Sequence, residues 1–165
     1  MATTEIHRAL ARLFTELADG ATEVGDSQIL NSGDIGLLRS LDTLTAADAS
    51  RAVNDGATIA AHAQHVRFGL SLLNRWAIDG GDPFADARWD DAWKLSTVDV
   101  PQWEEIRRGL AEEARRWRKT LEVSRPLTPI ELAGMIGSIA HLAYHLGAIR
   151  QIAKSTRGPK EGTFV

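Results

Sequence analysis

The 165-residue sequence predicts an all-α fold: a four-helix bundle with a long connector between its first and second helices. Three observations carry this. Four long segments repeat apolar residues at helical spacing, no run sustains the period-two alternation of a strand, and glycine, proline or capping residues bound each segment.

The first helix is expected from about Thr4 to Glu23, with Ile6, Leu10, Leu13, Phe14 and Leu17 on one face and a stop near Gly25. Turn-rich patches at Asn31-Ser32-Gly33-Asp34 and Asn54-Asp55-Gly56 mark residues 26–55 as connector. Between them Thr45-Ala46-Ala47-Asp48 reads as a capping box, so the connector should hold two short helices. The second long helix runs from about Ala57 to Ile78 and is closed by Asp79-Gly80-Gly81-Asp82-Pro83. Its apolar arc takes in Ile59, Ala63, Val66, Leu70 and Leu73, with Gln64, Arg67, Ser71 and Arg75 opposite. Residues 84–98 read as an ordered loop in which Trp89 and Trp93 cover one end of the bundle or a ligand. The third helix starts at Val100-Pro101, where proline suits the first turn, and reaches about Val123. Its inner face is Trp103, Ile106, Leu110, Ala114, Trp117 and Leu121. Thr128-Pro129-Ile130-Glu131 opens the fourth helix with a capping box, and the helix continues to about Lys154. Residues 1–155 are thus expected to form one domain, followed by a flexible tail over 156–165.

Bulk properties exclude several classes of function. A formal charge of −3 with no basic stripe argues against nucleic acid and anionic membrane surfaces. The absence of cysteine removes disulfides, thiolate metal sites and cysteine nucleophiles. The opening MATTEIHRAL lacks the layout of a signal peptide, so a cytoplasmic location is expected. The apolar run Ile130–Ile149 has about the length of a membrane span. Two histidines and Gly134, Gly137, Ser138 and Gly147 weaken that reading, and burial on all sides in a soluble bundle or at a subunit contact is expected instead.

The histidines are the informative feature. His141 and His145 stand four residues apart within that apolar run, so both imidazoles share one helix face. His62 and His65 lie on the apolar arc of the second long helix. A histidine in an apolar helix needs partners for both ring nitrogens, and a divalent metal with hydrogen-bonding neighbours supplies them. Three neutral imidazoles also leave coordination positions open for water or substrate. The competing reading is a catalytically silent bundle whose histidines are core residues or bind metal only for stability. No HExxH or Glu-x-x-His pattern is present, which removes the metalloprotease and di-iron carboxylate readings. Periodicity leaves His62 and His65 both eligible as the ligand from the second long helix, with His62 nearer the centre of the arc. His7 reads as a surface or rim residue, and Trp76, Trp103 and Trp117 as core.

The stretch Ala57-Thr58-Ile59-Ala60-Ala61-His62-Ala63-Gln64-His65-Val66, followed by His141-Leu-Ala-Tyr-His145-Leu-Gly-Ala-Ile, resembles the DinB/YfiT-like superfamily across essentially the whole chain. That resemblance implies a four-helix bundle, often dimeric, with a divalent metal, zinc or nickel, on three histidines. The offset of Thr58-Ile59 implies His65 as the ligand beside His141 and His145. His62, Ser138 and Tyr144 would then stand behind the ligands as supporting groups. The better-understood relatives imply a metal-dependent thiol transferase, isomerase or hydrolase acting on a small molecule or thiol. Leu146-Gly147-Ala148 departs from the polar residues frequent after the last histidine in that superfamily, so the substrate side of the pocket is expected to differ. The excess of apolar surface on the last helix predicts a homodimer that covers it.

Overall fold

In the computed structural model, which describes residues 3–21 and 27–160, the apolar stripes fold as helices and no strand forms among the described residues. The helices are α1 (Thr3–Asp19), α2 (Gly36–Asp42), α3 (Ala46–Ala49), α4 (Ile59–Asp79), α5 (Val100–Glu122) and α6 (Pro129–Ile152). Single 3-10 turns occur at Ala92–Lys94 and Lys154–Thr156. The four long helices pack in a cycle, α1 against α5 and α6, α4 against α5 and α6. Phe14, Leu17, Ile59, Leu72, Leu110, Trp117, Leu121, Leu142 and Ile149 are fully buried. A fully buried leucine or isoleucine contributes about 1.5–3 kcal/mol, so this core dominates stability.

Local chemistry sets the helix ends. The side chains of Thr45, Asp99 and Thr128 each close a capping box, with Asp48, Gln102 and Glu131 returning the bond. Glu131 accepts from the Thr128 hydroxyl and backbone N–H and from Arg125, which holds its carboxyl down to about 2. Helix α1 stops four residues before the expected end, at Asp19. Gly20 takes a φ of +104° there and donates back to the Glu16 carbonyl, closing the helix. The expected continuation to Glu23 falls partly outside the described residues.

The connector is tied down by polar groups. The buried Glu16 carboxylate accepts from the backbone N–H groups of Gln28, Ile29 and Leu30, and the Trp103 indole donates to the Leu44 carbonyl at 2.9 Å. The buried Asp34 carboxylate pairs with Arg150 of α6 at 2.7 Å and accepts from the Gly36 N–H.

Three expectations need correction. His7 is buried, not at the rim: its ring nitrogens lie 2.9 Å from the Leu121 carbonyl and 3.0 Å from that of Arg125, which ties α1 to the end of α5 and the turn beyond it. Packing continues past the expected domain boundary, because Thr156 is buried, its carbonyl accepts from Arg150, and the Pro159 carbonyl accepts from Asn31. Residues 161–165 of the expected tail lie outside the described residues. Trp76 is half-buried against Phe84, unlike the core residues Trp103 and Trp117. Within its own chain helix α6 leaves Ile130, Ile136 and Tyr144 exposed along one face, so burial on all sides would need a subunit contact. It is long and apolar enough to cross a membrane by length and composition alone.

Candidate metal centre

Thr58 positions the first half of the site. It caps α4 by accepting from the Ala61 N–H, and its hydroxyl donates to the Leu95 carbonyl at 2.9 Å, so the segment after Trp93 is fastened to the start of α4. One and two turns into α4, His62 and His65 face α6. The apolar environment of α6 holds His141 and His145 opposite them. His62, His65, His141 and His145 all come together.

The Nε2 atoms of His65 and His141 are 3.1 Å apart, and those of His141 and His145 are 2.9 Å apart. One ring nitrogen from each of His65, His141 and His145 lies within 4.8 Å of the other two, close enough to hold a metal ion. Two nitrogens about 2.1 Å from one ion stand about 3.0 Å apart at a right angle and about 3.4 Å apart at the tetrahedral angle. The two close edges, 3.1 and 2.9 Å, stand at or just under the short end of that range. His62 meets the cluster from behind, its Nδ1 2.9 Å from Nδ1 of His145. Such a contact to the far nitrogen fixes the tautomer and orientation of a liganding imidazole. The Nδ1 of His65, by contrast, is buried with no hydrogen-bond partner.

Burial keeps these rings neutral, the form that ligates metal. It is the leading cause throughout: His65 is lowered to about 4 and His145 to about 3, with repulsion from neighbouring imidazoles adding to both. His62 and His141 are lowered by burial as well.

No family model, curated protein or solved structure matches this chain.

The tryptophans of the 80–98 segment form the cover. Trp93 stacks on His65 with ring centres 4.4 Å apart and meets His62 edge-on at 5.4 Å, while Trp89 lies 5.5 Å from His65. Trp93 was legible only as one member of an i, i+4 pair, because its contact with α4 depends on the Thr58–Leu95 bond. Tyr144 is exposed and meets the His145 ring edge-on at 5.0 Å. Ser138 does not serve the histidines as expected. Its hydroxyl accepts from the Trp117 indole at 2.8 Å and donates to the Met135 carbonyl at 2.7 Å, a packing role between α5 and α6.

A slot of about 270 Å³ opens beside the cluster between α4, α6 and the tryptophan segment. Its walls are Val66, Gly69, Leu70, Leu73, Phe84, Trp89, Gly134, Gly137, Ser138, His141 and Leu142. Phe68 and Trp89 are stacked edge to face at 5.4 Å, and Phe68 lines a larger cavity of about 780 Å³ between α4, α5 and the same segment. That cavity has no cluster histidine in its lining.

Proposed function

We propose that the chain is a DinB/YfiT-like four-helix bundle whose His65, His141 and His145 hold one divalent transition-metal ion, zinc or nickel. The centre would serve a metal-dependent transferase, isomerase or hydrolase reaction on a small molecule. The convergence of three neutral imidazole nitrogens from two helices carries this reading. Nitrogen-only ligation suits zinc and nickel over magnesium or calcium, which prefer oxygen.

A bound ion of this kind supplies a Lewis acid and lowers the pKa of a coordinated water or thiol. The chain's own residues prepare that chemistry. With Nε2 of His145 turned to the centre, its Nδ1 keeps the proton and donates it to Nδ1 of His62, which locks the ring. Trp93, stacked on His65 and His145, screens the imidazoles from water on one side and sustains their neutral form.

The chain purified without a histidine tag should contain close to one divalent ion by elemental analysis, and His141→Ala or His145→Ala should remove it. His65→Ala should cost more affinity than His62→Ala, whose loss should be about 10–100-fold, as for groups behind a ligand. A His141→Ala/His145→Ala double variant that retains its metal would end the proposal, and the reverse order at 62 and 65 would exchange their roles. One observation favours a second reading, the catalytically silent bundle. The four imidazoles already form a chain of mutual hydrogen bonds, His62 to His145 to His141 to His65. Full stability and no bound ion after purification would select it.

A further inference from the structure

We infer that the slot beside the histidines binds a small molecule with an apolar body of about six carbons and a hydrogen-bond-accepting oxygen at one end, a carboxylate or amide carbonyl. The inference deepens the metal-centre reading and rests on it only for the proton assigned to His141. Its first support is the lining. Val66, Leu70, Leu73, Phe84 and Leu142 offer carbon alone, and the Ser138 hydroxyl is already engaged by Trp117 and Met135. That leaves two donors available to an occupant, the Trp89 indole N–H and the His141 ring, one edge of which faces the slot. A Cβ placed on Gly69 would sit 3.5 Å from His141 Cε1, 3.8 Å from its Nδ1 and 3.6 Å from the Trp89 ring. Nδ1 of His141 has no hydrogen bond to any described residue, while Nε2 is directed at His65 and His145. With Nε2 given to a metal, Nδ1 must carry the proton, so the slot ends in a donor and selects an acceptor.

The size follows from the volume. About 270 Å³ holds on the order of nine non-hydrogen atoms at roughly 30 Å³ each. Glycines at 69 and 137 keep the space open, and a Cβ at Gly137 would meet nothing within 4 Å. An acceptor bonded to Nδ1 would also stand where supporting groups orient a liganding imidazole, so the occupant and the metal would each strengthen the other's hold.

The test is a chemical-shift titration of the zinc-loaded protein with straight-chain carboxylates, followed at the Gly69 and Gly137 amides and the Trp89 indole. Affinity should rise about fourfold for each added methylene from acetate to hexanoate. Hexanamide should bind too, whereas hexylamine, which lacks an acceptor as the ammonium ion, should bind at least about tenfold more weakly than hexanoate. Gly137→Leu, placed at the exposed rim of the slot, should weaken hexanoate at least about tenfold while metal content and helicity stay unchanged, whether the variant is a dimer or a single chain. Equal affinities for acetate and hexanoate, or an unaffected Gly137→Leu variant, would overturn the inference. Metal bound without hexanoate would sink the slot alone; hexanoate bound by a chain that holds no metal would sink the metal centre and leave the slot.

Discussion

At the scale of single residues, the site gathers four titratable rings into a space that favours their neutral forms. This has a consequence for the metal-stripped chain. Folded His65 and His145 titrate near 4 and 3, below the ordinary histidine value of 6.5, because burial penalises their charged forms. Between pH 6.5 and those values the unfolded chain binds more protons than the folded one, so stability must fall as the pH falls. The thermal midpoint of metal-free protein should therefore decline from pH 7 to pH 5, above the range where carboxylates contribute. Added zinc should hold the midpoint up at pH 7 and lose that effect as protons displace it. A midpoint that stays level across the interval would show that the rings are more hydrated than the geometry implies. The shared face of His141 and His145 was legible in sequence because i, i+4 spacing is a local property of one helix. The burial of His7 was not legible, since its partners Leu121 and Arg125 are 114 and 118 positions away.

At the scale of elements, the capping boxes at Thr45 and Thr128 could be read directly, because each is complete within four residues. The Asp99–Gln102 box carries the same signal, although Pro101 gave the more visible mark of the same helix start. Connector geometry was not legible, because it depends on two glycines meeting across a gap in sequence. Gly20 and Gly36 both have positive φ, +104° and +71°, and a Cβ on either would collide with backbone atoms at the other's turn. The left-handed conformation alone costs a residue with a side chain about 1–2 kcal/mol. Gly36→Ala should cost that and more, lowering the melting temperature by at least about 4 °C. Gly147→Ala is the informative contrast. Gly147 lies within α6 with nothing near its absent Cβ, so alanine there should stabilise by about 1 kcal/mol. Two equal effects in calorimetry would show that the close approach of the two turns is unimportant.

At the scale of the whole molecule, α6 carries the burden of two tasks. Met135, Leu142, Leu146 and Ile149 fill the core and His141 and His145 meet α4, yet Ile130 is 69%, Ile136 53% and Tyr144 68% exposed along the outer face. Ala133 and Ala140 lie exposed between them, small enough to let a second backbone approach closely. A continuous apolar face of this kind is uncommon on an isolated chain and calls for a cover. The packed connector and the tryptophan segment are both engaged elsewhere, the one through Asp34 and Trp103, the other on α4. We propose that a second copy supplies the cover, with α6 lying against its two-fold mate, since isologous dimers are the commonest closed assembly. Because Tyr144 touches the His145 ring edge-on, such a contact would also shelter the flank of the metal centre. Light scattering at high micromolar concentration should give twice the mass of the 18.0 kDa chain. Ile136→Glu should return it to the single-chain mass without loss of helicity, because that side chain lies outside the core. A single-chain mass for the unaltered protein would show that α6 keeps its apolar face in solvent or gives it to a different partner.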